Sequence, residues 1–203
     1  METTQMPPFQ VTNITAEFAG VTIEPLKPEH APLLAQISTP ETFQHYLTRI
    51  DPHDGDNFLK WVNDRNAPGS VGHLIRLNGE PVGSSSIYDI SDFHRSLEIG
   101  HTWYEQDQRG TALNPIVKLI MIGKAIEDWR AMRVQLKTDA RNEPSIKAMR
   151  KLAFREEGIL KNHLYLPHQD RWRDTMFFSV TPDIWPQVRW RLIERIEEFG
   201  ISI

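Results

Sequence analysis

The sequence predicts an α+β domain: a mixed, mostly antiparallel central sheet flanked by helices. Short runs of apolar-polar alternation read as strands, and apolar residues at helical spacing recur between them. A strand-helix-strand unit over Arg95 to Asp139 would place one parallel pair within that sheet. At 203 residues the chain can fill one core, so residues 1–12 are expected to form a flexible N-terminal tail and residues 13–203 a single domain.

The tail is inferred from "QMPPFQ", which can begin neither a helix nor a central strand. Val21 to Leu26 alternates as a strand, and Ala31, Leu34, Ala35 and Ile37 then follow a helical period. "STPETFQHYLTRIDPHDG" is rich in turn formers around a short helical piece. Beyond it Phe58, Trp61 and Val62 share one side of a helix stopped by Pro-Gly. Val71 to Leu77 and Pro81 to Ile90 form a hairpin, with "NGE" as its tight turn. Arg95 to Tyr104 is a further strand, Asn114 to Trp129 a helix through Ile116, Leu119, Ile120, Gly123 and Ile126, and Arg133 to Asp139 a strand. "NEPSIKAMRKLAF" is a helix, and "EEGILKNHLYL" with "RDTMFFSV" a closing strand pair. A last helix over Ile184 to Phe199 puts Trp185, Val188, Leu192, Ile196 and Phe199 on one stripe.

Composition narrows the chemistry. The chain has no Cys, which excludes disulfides, thiolate metal sites and a thiol nucleophile. Net charge is −4, from 23 basic and 27 acidic residues mixed along the chain, so there is no electrostatic footprint for nucleic acid. No apolar run is long enough to span a bilayer, and "METTQMPPFQ" lacks the charge and apolar core of a targeting segment, so no membrane is expected and a cytoplasmic location is. His94 with His101, and His163 with His168, lack the spacing of a metal motif; no metal is expected. Trp172, Trp185 and Trp190 are candidates for an interface, with core packing the alternative for the final helix, and a homodimer is compatible with them.

"QDQRGTALN" lies between a strand and a helix, where backbone N–H groups have no intrahelical partners and face the positive end of the helix. Gly110 lets a ligand reach the main chain, Thr111 and Ala112 are small, Arg109 adds a charge, and Pro115 sits in the first helical turn. This suits an anion such as a pyrophosphate, with a plain turn as the alternative. It matches neither the Walker loop nor the three-glycine dinucleotide fingerprint.

Four motifs in order, "EIGHTWY", "DQRGTA", "NEPS" and "LAF", together with the closing "EEGILKNHLYLPHQDRWRDTMFFSV", resemble the GNAT superfamily of acyl-CoA N-acyltransferases, and within it the RimJ/RimL branch of ribosomal-protein N-terminal acetyltransferases. The likeness spans Val21 to Trp185. Asp107, Ala153 and His101 depart from the common pattern, and Met149 stands where many relatives carry a catalytic Tyr.

The resemblance implies a GNAT fold in which acetyl-CoA, the cosubstrate, lies where the two parallel strands splay apart. Its pantetheine would pair with main chain at Thr102, Trp103 and Tyr104, and its pyrophosphate would rest on Gln108, Arg109, Gly110, Thr111, Ala112 and Leu113. Main-chain N–H near Trp103 would stabilise the oxyanion. Glu98, read as sharing a strand face with Gly100 and Thr102, is the candidate base, with a structural carboxylate as the alternative; His101 is read as lying on the opposite face. Asn142 would hold the pantetheine side and Ser145 would donate a proton to the leaving thiolate, although both residues also suit a helix start.

The implied reaction is direct acetyl transfer to a primary amine. Deprotonating a lysine amine at pH 7 costs about 4.6 kcal/mol and an α-amine only about 1.4 kcal/mol, which favours an α-amine such as a protein N-terminus. Ser38 to Asn57 and Pro167 to Trp172 would flank the acceptor. Two rival readings stand beside this. One is an aminoglycoside- or polyamine-type acetyltransferase, for which Glu41, Asp51, Asp54 and Asp56 would supply acidity. The other is a CoA-binding sensor without catalysis, motivated by Met149.

Overall fold

The computed structural model describes Pro8–Ile203. Its strands are β1 (Ala16–Phe18), β2 (Val21–Pro25), β3 (Val71–Leu77), β4 (Glu80–Ser91), β5 (Ser96–Tyr104), β6 (Arg133–Asp139), β7 (Arg155–Leu166) and β8 (Arg171–Val180). Its α-helices are α1 (Ala31–Gln36), α2 (Gly55–Asp64), α3 (Leu113–Gly123), α4 (Glu143–Lys151) and α5 (Trp185–Glu197). The strands form one sheet in the order β1-β2-β3-β4-β5-β6-β8-β7. Every neighbouring pair is antiparallel except β5 and β6, whose connection crosses over through α3 as a parallel pair requires.

Alternation along each strand sorts side chains to the two sheet faces, and each face has its own apolar layer. In β3, Ile75 joins the layer beneath α3, α4 and α5, while its neighbour Leu74 joins that of α1 and α2. The larger layer contains Ile99, Ile116, Met121, Val188 and Leu192. The smaller is dominated by Phe43, Phe58, Trp61 and Trp103.

Local chemistry starts and stops the helices. Asp54 accepts from the Asn57 N–H at 3.1 Å and caps α2. Asn142 accepts from the Ser145 N–H at 3.3 Å and caps α4, with Pro144 in the first turn. The predicted helix to Trp129 is α3 followed by a π turn, Lys124–Asp128, in which the Trp129 N–H reaches back to the Lys124 carbonyl at 3.1 Å.

Three expectations are modified. β1 is absent from the sequence reading, since three residues before a tight turn are too few to show alternation. Phe9, in the segment read as a tail, is buried beneath the Arg95 guanidinium, 5.4 Å from its ring, while Met1–Pro7 lie outside the described residues. In the last helix Trp185 is buried and donates to Glu127 at 2.7 Å, whereas Trp190 of the same helix, Trp172 of β8 and Phe199 beyond the helix end are exposed. Among the described residues no helix is long and apolar enough to cross a membrane, and no three His, Asp or Glu side chains converge.

Candidate active site

β5 and β6 pair only at Ser96 with Arg133, Leu97 with Val134 and Glu98 with Gln135. Beyond that register they part, and a cleft of about 430 Å³ opens between them. A bulge in β5 accompanies the separation: Gly100 pairs with Ser86 and Trp103 with Ser84, so His101 and Thr102 together oppose Ser85. His101 takes φ +48°, in the left-handed region.

The bulge overturns the face assignments that simple alternation gives. Thr102 does not share a face with Glu98: its hydroxyl meets Ser85 at 2.8 Å and Lys118 of α3 at 3.1 Å, on the side of Ile99. His101 lies on the Glu98 side, with its ring 4.5 Å from that of Tyr88 and 5.8 Å from that of Tyr46. One inserted residue inverts the parity of everything after it.

The loop ahead of α3 has the expected form. Gly110 adopts φ +78° with nothing within 4 Å of where a Cβ would stand, so a ligand can lie against the backbone. Thr111 donates its hydroxyl to the Gln108 carbonyl at 2.9 Å and accepts from the Leu113 N–H at 3.3 Å. Among the described residues the N–H groups of Gly110, Thr111, Ala112 and Asn114 have no acceptor. Such a run at the start of an eleven-residue helix fits a diphosphate. Arg109 is tied down, donating to the Tyr104 carbonyl at 3.1 Å and reaching Thr42 at 3.5 Å.

Thr102, Trp103, Tyr104, Arg109, Gly110, Asn142 and Ser145 all line the cleft. Gln108, Thr111, Ala112 and Leu113 do not; Thr111 and Ala112 present N–H groups with no acceptor among the described residues, whereas the Gln108 N–H is bonded to the Glu105 carbonyl at 3.1 Å and that of Leu113, the first residue of α3, to Thr111. Beyond the bulge β5 pairs with β4 on one side and, among the described residues, with no strand on the other, an open edge suited to an amide-bearing chain. Ser145 lines the cleft while its N–H is held by Asn142, so the start of α4 borders the cleft. Met149, only 7% exposed, supplies an apolar wall.

Glu98 does not reach the cleft. Its side chain is 1% exposed and bonded to the Tyr88 hydroxyl, to Gln135 at 2.9 Å and to Lys137 at 2.8 Å. Tyr88 and Lys137 themselves line the cleft and stand between it and the carboxylate. Gly100 makes room for this, since a Cβ there would collide with the Tyr88 hydroxyl.

Burial pushes the Tyr88 phenol well above its ordinary range, and the negative charge of Glu98 adds to this. Burial pushes His101 down to about 3, helped by the cations Arg65, Lys137 and Arg173, so its ring is neutral at physiological pH. Burial alone lowers Lys118 to about 8. Burial opposes the charge of Asp139, but hydrogen bonds from Arg171, at 2.5 Å, and the Arg141 N–H outweigh it and hold the carboxyl low.

Sequence reasoning misses Tyr88, Lys118, Lys137 and Arg173. A signal exists for Lys118, a lone charge in the apolar run "LNPIVKLIMIG". For the others, only strand register brings them to the cleft.

An open mixed sheet, a parallel pair that splays, and a helix start with bare amides at the mouth together define an acyl-CoA-dependent transferase fold. Residues 21–155 match the family described as acetyltransferase (GNAT) domain, and the chain belongs to that family. It is 25% identical over 167 residues to the uncharacterized N-acetyltransferase p20 of Bacillus licheniformis, covering 79% of this chain and 92% of that one. A solved chain from T. thermophilus, assigned as an acetyltransferase, superposes with a TM-score of 0.85 at 29% identity, over 92% of this chain and 99% of its own. The RimJ of Mycobacterium smegmatis, solved in complex with CoA-disulfide, gives 0.71 at 24% identity over 87% of this chain and 90% of its own.

Proposed function

We propose that the protein transfers the acetyl group of acetyl-CoA directly to a primary amine of low basicity, an α-amine as in the RimJ/RimL branch. The unpaired amides of Gly110, Thr111, Ala112 and Asn114, at the mouth of the splayed strands, carry this reading as the seat of the diphosphate. The open β5 edge at Thr102 to Tyr104 takes the pantetheine, and main-chain N–H near Trp103 takes the oxyanion. The thioester comes with the cosubstrate; the protein's task is to bring a neutral amine to it.

The incoming ammonium passes a proton to the Tyr88 oxygen as the Tyr88 hydroxyl proton moves to Glu98. Tyr88 is the group that touches the amine, and Glu98 acts through it. The neutral nitrogen attacks the thioester carbonyl, the C–N bond forms, and the C–S bond breaks. The surplus proton on nitrogen reaches the departing sulfur through the Ser145 hydroxyl. A thiol with a pKa of about 8.5 leaves without a strong acid, so an apolar Met149 in the Tyr position is compatible with turnover.

Strongly cationic acceptors fit less well. Of the four acidic residues that would favour them, Asp54 caps α2, Asp51 engages the His53 N–H and Arg49, Asp56 stands in the first turn of α2, and only Glu41 lines the cleft.

The test is thiol release from acetyl-CoA with a panel of amines. Tyr88→Phe and Glu98→Gln should each lower kcat at pH 7 by roughly 10²-fold, and the double variant by little more. Both deficits should shrink toward pH 9, where an α-amine is already neutral. A chain that binds CoA, releases no thiol with any amine and ignores Glu98→Gln is a sensor, and the proposal fails.

A further inference from the structure

The cleft is lined by a buried arginine side chain that no described carboxylate hydrogen-bonds, although Asp139 and Glu98 lie near enough for their charge to act on it. Arg173, on β8, is 5% exposed and lines the cleft, yet its side chain makes no hydrogen bond to any described residue, and its Nε is sealed from solvent without a partner among them. A guanidinium stays charged at any accessible pH, and burying it unpaired is costly. The nearby carboxylates are already engaged: Glu98 with Lys137 at 2.8 Å, and Asp139 with Arg171 at 2.5 Å. Arg65 repeats the pattern, with Nε and Nη1 both buried and unpartnered, its guanidinium 5.6 Å from the centre of the Trp61 ring and close enough to His101 and Tyr46 to act on both.

The coenzyme does not account for this charge. Its diphosphate seat follows β5, whereas Arg173 is on β8, beyond β6 in the sheet. A hollow of about 430 Å³ adjoins the cleft, sharing Gln44 and His45 with it, and carries Arg171, paired with Asp139, Arg49, 3.9 Å from Asp51, and Arg141, which has no carboxylate within ion-pair distance among the described residues.

The geometry points to an acceptor that carries, besides its amine, an oxyanion (a carboxylate or a phosphate) seated on Arg173. This rests on reading the cleft as an amine-acetylating site and narrows the substrate class of that site. The planar fork of Arg173 would bind two oxygens of one anion, satisfying donors that have no protein acceptor.

Matched acceptors test it: glutamyl-alanine amide against glutaminyl-alanine amide, and phosphoserine amide against serine amide. The anionic member of at least one pair should be used at least ten-fold better in kcat/KM, through KM, and which pair responds identifies the oxyanion. In Arg173→Gln that preference should fall to within three-fold, with Arg173→Lys intermediate and CoA affinity changed less than two-fold. Arg173→Gln should also melt no lower than the native protein, because the side chain makes no hydrogen bond to any described residue; a large drop would mark a structural arginine and overturn the inference. Equal use of neutral and anionic partners, or a preference that survives Arg173→Gln, would overturn it as well. If no amine is acetylated, the transfer reading fails separately. Calorimetry with the N-acetylated forms of the same compounds then decides the seat: anion-dependent binding lost in Arg173→Gln supports it, and no such binding rejects it.

Discussion

At the residue scale, the site depends on groups whose protonation is set by burial. His101 is held down to about 3 chiefly by desolvation, and His73 to about 4 by the same cause, with His73 Nε2 accepting from the Ile14 N–H at 3.1 Å. In the unfolded chain both titrate near 6.5, so below that pH unfolding takes up protons and stability falls as pH falls, until the folded pKa values are reached. Near pH 5 the two rings together should contribute a slope of about 2–3 kcal/mol per pH unit. Thermal unfolding from pH 7.5 to 4.5 should show the midpoint falling over this window, and His73→Gln should flatten the fall; a flat profile between 6.5 and 5 would mean these rings are not buried neutral. Alternation along β5 puts His101 on the wrong face, so nothing local announces its burial beside Tyr88.

At the element scale, the start of α3 and the bulge in β5 do different work. The bare loop was legible because its requirements are local: a glycine at φ +78°, small neighbours, and a helix immediately after. Gly110→Val places a β-branched side chain in a left-handed backbone and in the space a ligand would occupy. It should cost about 1–2 kcal/mol of stability and lower CoA affinity at least ten-fold by calorimetry, whereas unchanged affinity would move the diphosphate elsewhere. The bulge was not legible. Nothing in "EIGHTWY" marks His101 as the extra residue, because a bulge is defined against a partner strand, here Ser84 to Ser86.

At the scale of the whole molecule, two apolar layers hold an eight-stranded sheet whose middle is left incomplete, because β5 and β6 separate after three paired positions. A ligand bridging that gap binds only the folded chain. At a hundred times its dissociation constant CoA should add about 2.7 kcal/mol, or a rise in Tm of about 5–10 °C for a domain of this length; no rise at millimolar CoA would count against the cleft as the coenzyme site. The sequence by itself determined the α+β class, seven of the eight strands, the Asn142 helix cap and the amide-rich loop, because each is encoded by neighbours along the chain. Only the tertiary structure decided that Glu98 sits behind Tyr88, that His101 and Thr102 part to opposite faces, and that Arg173 lies unpaired against the cleft. Those relations join residues on different strands, and register, bulge and splay set them rather than any local pattern.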